Sequence, residues 1–219
     1  MTTRRRLAFA IIPAAAVIAS GALLTQPGGR PIAAAQPCPD IEVIFARGTG
    51  EPAGVGRVGQ SFVDSLRSQV NGQSVGVYAV NYPASITMIG AGDGANDVNA
   101  HVQYMANTCP DTKLVLGGYS QGAAVMDFVG GVPVAGFSLG SPLAPQLLEY
   151  VSAVAVFGNP ANRLMGPFSA TSATLGYKAI DLCNVGDPIC SDGKDRSAHS
   201  QYDTSGLTNR AASFVADLV

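Results

Sequence analysis

Residues 113–129 read KLVLGGYSQGAAVMDFV, and this stretch decides the fold. Its apolar run over residues 113–116 predicts a buried strand, and residues 123–129 predict a helix. The pattern G-x-S-x-G, Gly118 to Gly122, lies between them with Ser120 at its centre. At such a strand-to-helix turn the serine backbone is strained and its hydroxyl stands clear, while larger side chains two positions away would collide. The stretch therefore predicts that Ser120 is a nucleophile.

Two strand–helix pairs precede this stretch. Residues 41–45 predict a buried strand, and residues 75–80 predict a second one. Apolar side chains at helical spacing follow each strand, namely Val58, Phe62, Leu66 and Val70 after the first, and Val98, Val102 and Met105 after the second. The connection over residues 83–96 combines glycines with apolar side chains, which predicts a surface loop able to touch an oily ligand.

The alternation of strands and helices continues after the serine turn. Residues 130–150 are rich in Gly, Pro and Leu and give no clear element, whereas residues 151–157 and 177–180 predict two more strands. A last helix is indicated by the spacing of Ala211, Phe214, Val215 and Leu218. The chain from Ile41 to Val219 therefore predicts one α/β domain with a mainly parallel central sheet and helices on both faces.

The first 35 residues differ from the rest of the chain. Three arginines at positions 4–6 precede an apolar stretch over residues 7–24, and three alanines stand at positions 33–35. This order is typical of a secretory signal peptide. We therefore predict a leader over residues 1–35 and a single folded domain over residues 36–219.

An uncleaved membrane anchor is the alternative reading of this apolar stretch, which approaches spanning length. Pro13, Ser20 and Gly21 weaken that alternative, and the Ala-x-Ala sequence offers a cleavage site. The arginines match a twin-arginine signal too loosely to identify the export route. The prediction is a secreted protein, extracellular or associated with the cell surface, with no membrane span after cleavage.

The charge of the mature chain is acidic. The predicted leader contains four of the 13 basic residues, Arg4, Arg5, Arg6 and Arg30, and none of the 15 acidic residues. The mature chain therefore has nine basic and 15 acidic residues, a net charge of −6. An acidic domain argues against a nucleic-acid partner. We expect a monomer whose partner is its substrate.

All four cysteines, Cys38, Cys109, Cys183 and Cys190, lie in the mature chain. An even count behind an export signal favours disulfides over metal binding, and Cys-x6-Cys is not a usual zinc spacing. Four cysteines allow three pairings, and the sequence alone does not choose among them. Because Cys183 and Cys190 can close one short loop, we expect that bridge and a second one between the other two.

A serine nucleophile needs a base within hydrogen-bond reach, and the chain has only two histidines. His199 lies late in the chain in a polar segment, and it alone permits the order serine, acid, histidine of α/β-hydrolases. His101 falls on the helix before the nucleophile strand, where we expect a surface or capping role. The sequence therefore predicts His199 as the base.

The acid that orients the imidazole has four candidates upstream of His199, namely Asp181, Asp187, Asp192 and Asp195. Only Asp187 lies inside the loop that Cys183 and Cys190 could close. A closed loop would fix its carboxylate, so Asp187 is the predicted acid.

Together the segments 118–122 and 183–190, the second reading CNVGDPIC, and His199 resemble the cutinase family, over about Cys38 to Val219. The resemblance implies a single-domain α/β-hydrolase fold without a lid domain. It also implies the triad Ser120, Asp187 and His199. No metal and no cofactor are expected.

The resemblance further implies an oxyanion hole just after the first strand, where residues 46–51 read ARGTGE. The family's hydroxyl residue falls on Thr49, and the second donor on Gln121. One amide after the nucleophile and one from an early loop are what α/β-hydrolases use for this purpose. The implied function is a secreted carboxylic ester hydrolase that acts through an acyl-enzyme on short to medium acyl esters, lipids or polyester surfaces.

Two other functions stay open at this point. A phospholipid, a thioester or a transferred acyl group could be the acyl donor, because each is attacked by the same serine. Residues 83–94 and 191–198 would decide among these donors. Alternatively, an inert binding protein could keep the fold without the activity.

Overall fold

The computed structural model of the chain describes residues 37–133 and 140–219, so the predicted leader lies outside the described residues. Within them, five strands form one parallel sheet: β1 Ile41–Ala46, β2 Val75–Ala79, β3 Lys113–Tyr119, β4 Val151–Phe157 and β5 Ala179–Leu182. Their order is β2-β1-β3-β4-β5. The direction of winding therefore reverses between β1 and β3, and α/β proteins bind ligands at the carboxyl ends of strands beside such a reversal.

Helices cover both faces of this sheet: α1 Gly56–Arg67, α2 Ala91–Thr108, α3 Gln121–Val129, α4 Phe168–Thr171, α5 Arg196–His199 and α6 Leu207–Ala216. Short 3-10 helices occupy residues 145–150, 160–163 and 176–178. Among the described residues, no helix has both the length and the apolar character needed to cross a membrane.

The alternation of side chains along β1 divides the core into two layers. Ile44 faces the layer that holds α2 and α3, whereas Val43 and Phe45 face the layer that holds α1 and α6. All three side chains are fully buried. The predicted parallel sheet with helices on both faces is therefore confirmed.

Several predicted boundaries were wrong, and two of them have a physical reason. Helix α2 begins at Ala91, inside the segment 83–96 that was predicted as a loop. Its early glycines concealed this start, but a Cβ at Gly94 would lie only 2.9 Å from the Val125 side chain, so close packing on α3 requires glycine there. Strand β5 begins at Ala179 because residues 176–178 form a 3-10 turn.

The predicted surface or capping role of His101 was also wrong. Its side chain is only 13% exposed, and its ring stacks on Tyr78 with the centroids 3.5 Å apart. Its Nε2 lies 2.5 Å from Glu42 Oε1. Because β1 and β2 are adjacent, these partners hold α2 on the sheet near the β2 edge, and His101 is a packing residue.

Candidate active site

The turn between β3 and α3 has the strained geometry expected from the sequence. Ser120 adopts φ +54° and ψ −114°, a region that non-glycine residues rarely occupy. A Cβ at Gly118 would lie 2.1 Å from the Gly122 carbonyl oxygen, and one at Gly122 would lie 1.9 Å from that of Ala46. Both glycines are therefore required, and the turn presents the serine at the carboxyl edge of the sheet.

Three predicted side chains meet at this edge. His199 Nε2 lies 2.9 Å from Ser120 Oγ, and His199 Nδ1 lies 2.8 Å from Asp187 Oδ2. The carboxylate is fully buried, and the imidazole is 19% exposed. The arrangement can transfer a proton away from the serine hydroxyl and stabilise the imidazolium that results.

The Asp187 loop is closed as expected. Disulfides join Cys183 to Cys190 and Cys38 to Cys109, the pairing that the sequence favoured. Within the loop, the Ile189 amide donates to Asp187 Oδ1 over 2.8 Å. The two loop sulfurs and the carboxylate lie within 4.8 Å of one another, but a disulfide offers no thiolate to a metal ion.

The position of His199, the last residue of α5, is fixed from three sides. Tyr119 Oη donates to the His199 carbonyl oxygen over 2.6 Å, and the two rings are 5.1 Å apart. Asn184 Nδ2 donates to the carbonyl oxygen of Ala198 over 2.9 Å. At Gly158, where φ is +58°, a Cβ would lie 2.9 Å from the His199 ring. The imidazole therefore has little freedom to turn away from Ser120.

One side chain at this site was missed from the sequence. Tyr202 is fully buried, and its hydroxyl donates to Asp187 Oδ2 over 2.6 Å. Burial raises the pKa of Tyr202, so the phenol keeps its proton. The available signal was a single aromatic residue three positions after His199 in an otherwise polar segment.

The structure also brings together the two residues predicted for the oxyanion hole. Thr49 Oγ1 donates to Gln121 Oε1 over 3.0 Å, and Gln121 is 1% exposed. Gln121 is the first residue of α3, so its amide has no acceptor within the helix. The backbone N–H of Gln121 can therefore donate a hydrogen bond to negative charge that develops beside Ser120.

Sequence reasoning also missed the residues that brace the Thr49 loop. Glu51 accepts hydrogen bonds from the amide of Gly48 over 2.7 Å and from the amide of Arg57 over 2.9 Å. The Arg57 guanidinium donates to the Ser200 carbonyl oxygen over 2.5 Å and pairs with Asp203. Glu51 and Arg57 thus link the Thr49 loop with the segment that carries His199.

Two segments connected to the site expose apolar side chains. A pocket of about 440 Å³ beside His199 is lined by Pro188, Ile189 and Arg196. Val185 on the disulfide loop is 93% exposed, and Ile86 is 88% exposed. The segment that carries Ile86 joins the Thr49 loop through a hydrogen bond from the Gly50 amide to the Ala84 carbonyl oxygen, 2.9 Å long.

Comparison with known proteins places the chain in a family. The family model described as Cutinase matches residues 37–219. The Mycobacterium tuberculosis protein named phospholipase Culp4 is 53% identical over 205 residues, which cover 94% of this chain and 89% of that protein. The probable carboxylesterase Culp3 of the same species is 56% identical over 201 residues, 91% of this chain and 74% of Culp3.

Solved structures agree with this assignment. A Trichoderma reesei cutinase bound to a phosphonate inhibitor superposes with a TM-score of 0.65 and 34% identity, over 83% of this chain and 77% of that one. An acetyl xylan esterase superposes with a TM-score of 0.71 and 27% identity, over 83% and 99% of the two chains. The chain therefore belongs to the cutinase family of serine carboxylic ester hydrolases and has their α/β-hydrolase fold.

Proposed function

We propose that Ser120, His199 and Asp187 are the catalytic triad of this ester hydrolase. The observation that carries the proposal is the pair of hydrogen bonds through the His199 ring, 2.9 Å to Ser120 Oγ and 2.8 Å to Asp187 Oδ2. The serine at a strained turn supports the same assignment, because that turn keeps its hydroxyl clear of neighbouring side chains.

The reaction follows from this geometry. His199 Nε2 takes the Ser120 proton as Oγ attacks the ester carbonyl, and the carbonyl oxygen becomes an oxyanion. The backbone amides of Thr49 and Gln121 are the proposed donors to it, each contributing about 3 kcal/mol. His199 then protonates the departing alcohol, which leaves an acyl group on Ser120. Water, deprotonated by His199, cleaves this acyl-enzyme and restores the serine.

The acyl donor has two candidates. A short to medium chain carboxylic ester is supported by the 56% identity to the protein named probable carboxylesterase Culp3. A phospholipid is favoured by the 53% identity to the protein named phospholipase Culp4 and by the exposed Ile86 and Val185, which could contact acyl chains. Both candidates use the same serine.

We also propose that the protein acts outside the cytoplasm. The two disulfides support this proposal, because such bonds persist in oxidising compartments. Mass spectrometry of protein from the culture medium should find a chain that begins near residue 36. A full-length chain retained in the cells would contradict export.

Hydrolysis of para-nitrophenyl esters of increasing acyl length tests the catalytic proposal. Ser120→Ala should lower kcat by about a million-fold, since triad members act as one unit. An organophosphonate should label Ser120 in the wild type and not in the variant. Release of fatty acid from phosphatidylcholine vesicles then separates phospholipase from esterase use. A folded Ser120→Ala protein with unchanged turnover would refute the assignment.

The two histidines provide a matched control. His199→Gln should reduce kcat nearly as far as the serine variant, because no second base is within reach of Ser120 among the described residues. His101→Gln keeps a polar group beside Glu42 and should leave kcat within about two-fold. Equal losses in the two variants would show that His199 is not the base.

A further inference from the structure

We infer that Tyr202 is a positioning residue for the proposed triad: its hydroxyl holds the Asp187 oxygen that faces His199 and thereby sets the basicity of the imidazole. The inference rests on the proposed function and adds a fourth side chain to its hydrogen-bond chain. Tyr202 itself does not touch Ser120 or the reacting ester.

The contacts of the Asp187 carboxylate carry this inference. Oδ2 lies 2.6 Å from Tyr202 Oη and 2.8 Å from His199 Nδ1, so the two donors share one oxygen. Oδ1 accepts from the Ile189 amide over 2.8 Å. The carboxylate is fully buried and cannot exchange these partners for water. Any change at the Tyr202 hydroxyl therefore acts on the oxygen that pairs with the imidazole.

The direction of the Tyr202 hydrogen bond is also fixed. The phenol oxygen accepts from the Asn184 amide over 2.9 Å, which leaves its single proton for an acceptor on the other side. The Cys190 sulfur lies 3.3 Å away, but a carboxylate at 2.6 Å is the far stronger acceptor. The side chain is fully buried, and its ring stands edge-on to Phe157 with the centroids 6.1 Å apart. Tyr202 is thus locked as a donor.

A donor on Oδ2 draws negative charge away from His199 Nδ1, so it weakens the support that Asp187 gives to an imidazolium. Removal of the hydroxyl should make the imidazole more basic and the carboxylate less well oriented. The other charged or titratable groups around His199 are Tyr119, Arg196 and Arg57, together with Asp203, which pairs with Arg57. Among the described contacts, none of these four side chains donates to the Asp187 carboxylate.

Tyr202→Phe tests the inference through the pH profile of kcat/KM for para-nitrophenyl butyrate. The acid limb should move upward by about 0.5 pH unit, and the plateau should fall about ten-fold with KM nearly unchanged. Tyr119→Phe is the matched control, because it removes a buried hydroxyl that contacts only the His199 backbone at this site. Its acid limb should not move.

An unmoved acid limb in folded Tyr202→Phe protein, or an equal movement in both variants, would reduce Tyr202 to a packing residue. If Tyr202→Phe does not fold, 3-fluorotyrosine introduced at position 202 keeps the hydroxyl and makes it a stronger donor. The limb should then move downward, and an unmoved limb again overturns the inference. Organophosphonate labelling separates the two proposals: without a labelled Ser120 the triad fails, whereas a labelled Ser120 and an unmoved limb reject only the role of Tyr202.

Discussion

Asp127, on α3, is a carboxyl group that the proposed reaction does not use. It is fully buried, and Asn159 Nδ2 donates to its Oδ1 over 3.0 Å. The same amide reaches Asp181 Oδ2 over 3.3 Å. Within the described residues, Asp127 Oδ2 has no hydrogen-bond partner. Burial raises the pKa of Asp127 to about 7, because its charged form loses hydration that one amide replaces only in part.

This residue makes stability depend on pH. The folded protein binds the Asp127 proton more tightly than the unfolded chain, whose carboxyl titrates near 3.8, so stability should decline as pH rises from about 4 to about 7. Asp127→Asn removes the ionisation. It should exceed the wild type in unfolding free energy by about 4 kcal/mol at pH 8 and by little at pH 4.

Urea unfolding of both proteins at a series of pH values measures that difference. It should open progressively through the interval from about 4 to 7. A difference between wild type and variant that stays constant with pH would show that Asp127 titrates normally in the folded protein.

Individual residues differ in how far the sequence could reveal them. The proposed nucleophile and base could be identified because a G-x-S-x-G turn and one of only two histidines satisfy chemical requirements that few residues can meet. Tyr202 and Glu51 were missed because a tyrosine or a glutamate has many roles, and only three-dimensional proximity shows which role applies. His101 was misjudged for the same reason, since its partner Glu42 is 59 residues away.

At the scale of elements, the disulfide loop of residues 183–190 and helix α5 form one unit. Tyr202 holds the loop at two points, the Asn184 amide and the Asp187 carboxylate. Asn184 also reaches α5 at the Ala198 carbonyl oxygen. The bridge and these contacts, together with a turn hydrogen bond from the Asp187 amide to the Asn184 carbonyl oxygen, hold Asp187 toward His199.

Replacement of Cys183 and Cys190 by serine should therefore reduce activity more than stability. Loss of the short closure costs about 2.5 kcal/mol of unfolding free energy. The freed carboxylate should lower kcat/KM by about ten- to a hundred-fold in protein that is still folded. Activity and circular dichroism measured along the same thermal scan distinguish the two effects. Parallel loss of both signals would mean that the loop contributes only stability.

The elements themselves were largely predictable, because buried parallel strands are continuous apolar runs and covering helices have a four-residue repeat. The errors fall where glycine serves packing. Helix α2 starts with glycines that allow contact with α3. Because glycine has a low helix propensity, the sequence did not indicate a helix there. The beginning of β5 was placed too early because Tyr177, a residue type that favours strands, lies in the 3-10 turn at residues 176–178.

At the scale of the whole molecule, the carboxyl ends and the amino ends of the sheet strands have different roles. The carboxyl ends of β1 and β3 lead into the Thr49 loop and the Ser120 turn, whereas the Cys38–Cys109 bridge joins segments that lie before β1 and before β3. A strand of six or seven residues spans about 20 Å. The long disulfide is therefore remote from the site.

Replacement of Cys38 and Cys109 by serine should have the opposite outcome to that of the short bridge. The 71-residue separation predicts a loss of about 4 kcal/mol in unfolding free energy. Turnover per folded molecule, normalised by phosphonate titration of Ser120, should stay within about two-fold of wild type. A large fall in normalised turnover would show that the bridge at the amino ends of the strands affects the site at their carboxyl ends.

Ser120 and His199 are 79 residues apart, so the ribosome makes the two residues at different times. A nascent chain that has left the ribosome as far as β4 already contains the serine turn, but β5, the acid and the base are still to be made. Under the proposed assignment such a chain cannot hydrolyse an ester. Activity under that assignment requires the chain to be made and folded beyond its last strand, through the end of α5.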